Sequence, residues 1–300
     1  MISNAIVFKA ELPSIESLRQ HFAELAYREL SDTEYKRHCF VMNEVTGDLV
    51  TDFPGGFAIC LRTDEKVIPP KVLQAETDKE VTNIEEAQGT KVPRKTRQAI
   101  KEEIFFALCE QALVSTSYTW AFYHQEHQLL IVNTGGKSKA DALVNSLISA
   151  AGSVKTQTIH ISDIKHGITS RLQKLIEGED DQAFGQLDVD DHALLVRRFE
   201  EVEKVTYAGV DITGNQELLD QLRAGYRVED LGMIFDRTHF RLTSEFRLKC
   251  IKREPIDSDE DDDDHAHQWR MQAHEETQAI AGIVAELCQL LEYKEEEVAA

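Results

Sequence analysis

The stretch LLIVNTGGKSKADALVNSL, residues 129–147, sets two glycines, a lysine and a serine between an apolar run and a helical pattern. A phosphate-binding loop needs Gly-x-x-x-x-Gly-Lys-[Ser/Thr], whose backbone N–H groups wrap the phosphates while the lysine reaches their far end. Gly136-Lys137-Ser138 supplies the end of that pattern, but its first glycine would fall at Ile131, still inside the apolar run. The loop is too short to wrap a triphosphate, so the stretch reads as a strand turning into a helix through a Gly-Gly corner. Lys137 and Lys139 are then two cations at a helix N-terminus, where the dipole disfavours them and favours an anionic partner.

Other chemistry-bearing groups read as structural. His124 and His127, in HQEH, fall at an expected hairpin turn and not on a helix, so they miss the geometry of a zinc-binding His-Glu-x-x-His and read as surface-turn residues. Asp261 to His267, DDDDHAH, offers carboxylates that suit a hard divalent ion, but it lacks the Gly turn and closing Glu of a calcium loop and reads as a solvated charge run. No Gly-x-Ser-x-Gly occurs. The five cysteines, Cys39, Cys60, Cys109, Cys250 and Cys288, are scattered and odd in number, which suggests buried reduced thiols and neither a disulfide framework nor a zinc site. No metal, cofactor or catalytic residue is expected, and the chain does not read as an enzyme.

The best functional candidate is KVPRKTRQAIK, residues 91–101, which carries Lys91, Arg94, Lys95, Arg97 and Lys101 and no acid. With a helix starting near Pro93, Arg94, Arg97 and Lys101 share a face and Lys95 lies beside them, a stripe suited to phosphates. No aromatic residue is interleaved, so this stretch does not support stacking on single-strand bases. The net charge of −21 argues against a nucleic-acid partner only until its distribution is read. Residues 254–300 hold fifteen Asp or Glu against Arg270 and Lys294, so most of the acidity is local.

The elements that must position these residues are legible in outline. Three hundred residues, 42% hydrophobic and 29% charged, suffice for a sizeable core. No apolar run approaches a membrane span and MISNAIVFKAEL lacks the pattern of a signal peptide, so a soluble intracellular protein is expected. AIVFKAEL reads as a strand, followed after Ser14, a possible cap, by a helix through Ile15, Leu18, Phe22 and Leu25. Residues 45–70 read as strands with turns at Gly47-Asp48 and Pro54-Gly55-Gly56, and 71–99 as a polar helix that projects from the domain. A second helix, a hairpin and a third helix follow, which marks an α+β protein and not a doubly wound nucleotide fold. EGEDDQAFGQLDVDD reads as a linker, DSDEDDDDHAHQ as a low-complexity acidic loop, and Ile280 to Leu291 as an amphipathic helix that docks on this chain's own sheet or on a second subunit. The expected organisation is an N-terminal α+β region over 1–70, a long charged helix with hairpin and helix over 71–155, a C-terminal α+β region over 156–253, an acidic loop over 254–270 and a C-terminal helix over 271–300.

Read together, several stretches resemble the RdgC family of bacterial recombination-associated proteins. They are IVFKAEL, GGFAICLRTDEKVIPPKVL, RKTRQAIKEEIFFALCEQAL, WAFYHQEHQLLIVNTGGKSKADALVNSLISAAGSV and VDITGNQELLDQLRAGYRVEDLGMIFDRTHFRLTSEFRLKCIKRE, in the family's order over nearly the whole chain. The resemblance implies mixed antiparallel sheets with long helices, a ring-shaped homodimer whose hole is lined with positive charge, and binding of double-stranded DNA without sequence preference. It also implies a cytoplasmic, nucleoid-associated protein that has no catalytic site and limits recombinase filaments. On this reading Arg94, Lys95, Arg97 and Lys101 are the first DNA-binding candidates, and Lys91, Lys137, Lys139, Arg197 and Arg198 the second.

The chain departs from the family where Glu110-Gln111-Ala112-Leu113 stands for Pro-Arg-Ala-Phe and Ala208-Gly209-Val210 for a Lys-Lys-Gln run. Leu113, Gly209 and Val210 thereby mark the expected dimer contacts, with positive charge lost around them. A rival expectation keeps the scaffold but not the grip on DNA: an acidic interaction module whose residues 257–264 engage a recombinase or another basic DNA-binding protein.

Overall fold

A computed structural model of the chain describes residues 1–24, 27–151, 155–158, 164–199, 201–254 and 264–293, with backbone alone at 155–158 and 164–166. The elements run β1 (Ala5–Glu11), α1 (Ile15–Glu24), β2 (Lys36–Val41), β3 (Thr51–Phe53), β4 (Gly56–Lys66), α2 (Pro70–Gln88), α3 (Arg94–Gln111), β5 (Val114–His124), β6 (Leu129–Val132) and α4 (Lys137–Ala151). They continue with β7 (Lys155–Thr158), α5 (Ile164–Glu177), β8 (Asp188–Arg198), β9 (Val202–Ala208), α6 (Gln216–Arg223), β10 (Arg227–Phe235), β11 (Thr238–Thr243), β12 (Arg247–Arg253) and α7 (His265–Leu290). The fold is α+β, as the sequence indicates. Its strands join in one twelve-stranded sheet and not in several, in the order β2-β4-β5-β6-β1-β12-β11-β10-β8-β9, with β3 beside β4 and β7 beside β1.

β1 is the hinge of that sheet. Along one edge it pairs with β6 over Ile6 to Lys9; along the other it pairs first with β12, through Ala5 and Ile6, and then with β7 from Phe8 onward. The two halves therefore meet through two residue pairs at β1–β12. The first half is covered on both faces where AIVF of β1, FAICL of β4 and LLIV of β6 lie, and these segments read as unbroken apolar runs, as buried strands do. Ile6, Phe8, Phe57, Ile59, Leu130 and Val132 face α1 and α4 through Leu18, Phe22, Leu143 and Leu147. Ala5, Val7, Ala58, Phe122 and Ile131 face the other way, into a core that includes Ile280, Ile283, Val284 and Leu287 of α7.

α7 thus docks on the chain's own sheet and ties the two halves, since the same core takes in Leu195, Leu231, Phe240 and Leu242 from the second half. Among the described residues the second half is covered on one face, by α5, α6 and α7. Its strands alternate accordingly, with Leu231 and Met233 buried at 0% exposure while Arg241 and Lys249 pair across the open face.

Local signals account for several helix ends. Ser14 Oγ accepts from the Ser17 N–H at 3.3 Å, as expected of a cap on α1. Asn215 accepts from Leu218 at 3.0 Å at the start of α6, and Asp264 takes the Ala266 and His267 amides, each at 3.0 Å, at the start of α7. These backbone donors hold the Asp264 carboxyl below its ordinary range. Two sequence readings are corrected. The polar helix expected over 71–99 ends at Gln88, where Gly89 (φ 65°) closes it in a left-handed cap, and a new helix starts at Arg94. His124 is not a surface residue: it closes β5 with 1% exposure and its ring stacks on His127 at 4.9 Å.

Candidate nucleic-acid interface

Helices α2 and α3 form a hairpin that rises from the far end of the β4–β5 ladder. The nineteen residues of α2 span about 28 Å. Few of its side chains are buried, only Thr77 and Val81 on α2 and Ile100 and Cys109 on α3, so each helix packs chiefly on the other. Its root is fixed by the Tyr35–Phe105 ring contact at 5.1 Å and by the β4–β5 ladder, which runs unbroken from Gly56–His124 to Lys66–Val114. A hairpin so built is a projecting arm with a solvated surface.

The positive charge sits at the free end of this arm. Lys91 lies in the turn and Arg94, Lys95, Arg97 and Lys101 on the first two turns of α3; all are exposed except Lys101, which is half-buried. Arg97 donates to Asp78 Oδ1 of α2, so its charge is spent on closing the hairpin. Among the described residues Lys91, Arg94, Lys95 and Lys101 have no carboxylate partner. The first turn of α3 carries no acid either, and its N-terminal amides add to the positive field. Four unpaired cations and a helix start form a surface that attracts phosphates and offers nothing to read a base edge.

The remaining candidates are not gathered there. Lys137 and Lys139 begin α4, on the α1 side of the sheet, where Lys137 reaches Asp141 at 3.2 Å. Arg197 lies near the end of β8 and is engaged three ways: with Glu203 at 2.6 Å, over the Tyr226 ring at 4.7 Å and with the Ala224 carbonyl at 3.3 Å. The Tyr226 hydroxyl and Arg197 together hold the Glu203 carboxyl below its ordinary range. Arg198 is exposed next to it. Sequence spacing cannot reveal such neutralisation, because Asp78 and Arg97 belong to different helices.

The expected dimer positions lie apart from one another. Leu113 is 82% exposed and adjoins Val67 and Val114, 52% and 49% exposed, at the root of the hairpin. Gly209 (φ 68°) and Val210, 41% exposed, follow β9 at the opposite end of the strand order. Of the acidic run 257–264 of the rival expectation, 257–263 lie outside the described residues, and Asp264 is the cap of α7. Among the described residues no helix is long and apolar enough to cross a membrane, and no three His, Cys, Asp or Glu side chains gather as a metal site.

Comparison with known proteins bears on the whole chain. A family model described as "Putative exonuclease, RdgC" matches residues 1–294. A recombination-associated protein RdgC of Pseudoalteromonas atlantica is 25% identical over 250 residues, which cover 83% of this chain and 81% of that one. The protein of the same name from Neisseria meningitidis serogroup C is 26% identical over 249 residues, 81% of this chain and 80% of its own. That of a Janthinobacterium species is 25% identical over 245 residues, with 81% and 79% covered.

Proposed function

Because the chain belongs to the RdgC family, we propose that it is a recombination-associated, non-catalytic protein that binds duplex DNA without regard to sequence and limits recombinase action by encircling or coating the DNA. The observation that carries this reading is the cluster of Lys91, Arg94, Lys95 and Lys101, unpaired among the described residues at the free end of a projecting arm on a chain of net charge −21. A protein bound to the DNA backbone blocks a recombinase by occupancy alone. The histidine–carboxylate pairs His239–Asp190, at 2.8 Å, and His192–Asp230, at 3.6 Å, belong to β8, β10 and β11 and not to the cationic arm, so a phosphate drawn to the arm meets neither pair.

The test is binding to several unrelated duplexes of equal length. Dissociation constants agreeing within about threefold are expected, since phosphate contacts carry no sequence information. A preference of a hundredfold for one sequence would overturn the reading.

A homodimer joined at two places would make the ring, and the exposed Leu113, before β5 in the first half of the sheet, and Val210, after the edge strand β9 of the second half, suit it. Leu113→Asp puts a charge into the first contact and is expected to open it, at a cost of about 2 kcal/mol or more for an interface anchor. Sedimentation at micromolar concentration would then show loss of the closed dimer, in favour of monomer or of a dimer of larger frictional ratio. Unchanged sedimentation would remove Leu113 from the interface.

A further inference from the structure

The two tryptophans of the chain, Trp120 on β5 and Trp269 on α7, come together although 149 positions separate them, with ring centroids 5.5 Å apart. They line a cavity of about 390 Å³ on the sheet face where α7 begins, together with Tyr118, Arg62, Met42 and Glu44. Cys60 also lines it, and burial pushes its thiol up to about 12, so it stays neutral. Tyr118 and Met42 are 51% and 64% exposed, which leaves the cavity open to solvent. This size and this lining, three aromatic rings and several aliphatic side chains with a few polar groups, suit one small planar group.

The polar groups specify it further. Arg62 gives its Nε–H to Asp64 at 2.9 Å and lies over the Tyr27 ring at 4.2 Å, which fixes the guanidinium plane. Among the described residues its two terminal amino groups have no acceptor, and neither indole N–H has one. A wholly apolar side chain would use none of these donors. An aromatic ring that carries an anion would use both the stack and the cation, and Glu44 at the rim suits the N–H donor that every nucleobase carries on its pairing edge.

We propose that this slot takes one unpaired nucleobase of DNA, stacked against Trp120, Trp269 and Tyr118, with Arg62 on its phosphate. The inference deepens the DNA-binding reading and rests on it for the identity of the polymer. It gives the protein a means to grip a frayed, bulged or single-stranded position beside a duplex held by the cationic arm. Base-on-aromatic stacking is tolerant of sequence, so the slot is compatible with sequence-blind binding.

All tryptophan fluorescence of this chain arises in the slot, so occupancy can be read without a label. The full chain is titrated with a four-nucleotide single strand, an abasic tetramer of the same backbone, a fully paired duplex and the same duplex with one extrahelical base. Anisotropy of labelled duplex is followed in parallel. Saturable quenching by the tetranucleotide and the bulged duplex, and not by the abasic tetramer or the paired duplex, is expected. Tyr118→Ala should weaken the quench about tenfold, one stacking partner being lost. No quenching by millimolar tetranucleotide, or equal quenching by the abasic backbone, overturns the proposal. Quenching by a Leu-Phe dipeptide and none by the tetranucleotide overturns it too, and assigns the slot to a protein partner. Duplex binding lost while the quench persists would instead strike the function proposed above and leave the slot in place.

Discussion

Replacing Lys91, Arg94, Lys95 and Lys101 together by glutamate is expected to lower duplex affinity by at least about a hundredfold at 0.1 M salt, with the fold intact. Each lost phosphate contact at an exposed cation is worth up to about 1 kcal/mol, and four per protomer sum to some two orders of magnitude before the added repulsion of the new carboxylates. The fold tolerates the change because none of the four takes part in the core and none pairs with a carboxylate among the described residues. Arg97 does not belong in this variant. Its substitution would set a carboxylate against Asp78 and loosen the hairpin itself, so that a loss of binding would have two causes. Reversal of Lys137, Lys139 and Arg198 serves as the control and is expected to change affinity by less than about fivefold, an effect of long-range field and not of contact. Equal losses from the two variants would mean that binding follows net charge, not the arm.

Gly56→Ala is expected to destabilise the chain by about 3 kcal/mol or more, among the largest single-residue effects the fold offers. A Cβ at Gly56 would sit 1.9 Å from the Tyr123 carbonyl oxygen and 3.0 Å from the Phe53 ring. The oxygen belongs to the backbone of β5 and cannot swing aside, so the start of the β4–β5 ladder must open. That ladder carries the arm at its other end, and Phe57 and Tyr123, whose rings meet at 5.1 Å, would part with it. Gly47 is the comparison: its φ of 73° strains an alanine but nothing lies within 4 Å of the added methyl. Gly47→Ala should cost only about 1 kcal/mol. Urea midpoints of the two variants separate crowding from backbone strain, and equal shifts would contradict the geometry at Gly56.

What the sequence made legible is local. Ser14 capping α1, the Pro54-Gly55-Gly56 turn, the start of α3 at Arg94 and the docking face of α7 from Ile280 onward all follow from spacing and residue type within a few positions. α7 is longer than that pattern suggests, because its first half presents Ala273 and Thr277 to the core, residues that carry little hydrophobic signal. The unity of the sheet was not legible, since β1 and β12 join through two residue pairs that lie more than two hundred positions apart. The basic stretch was visible, but not that Arg97 is neutralised while its neighbours are free. The absence of aromatics between its lysines argued against stacking there, and spacing could not show that Tyr118 and Trp120 of β5 line one cavity with Trp269 of α7, which only folding joins.

The central claim is that a few unpaired cations on one arm hold the DNA backbone. It is tested most directly by the dependence of duplex affinity on salt, measured for the unaltered chain and for the variant with Lys91, Arg94, Lys95 and Lys101 changed to glutamine. A linear fall of log affinity with log salt is expected, and its slope should drop in the variant by about 0.9 for each phosphate contact removed, or nearly four units per protomer bound. An unchanged slope would show that the phosphates are held elsewhere and that the arm does not carry the interaction.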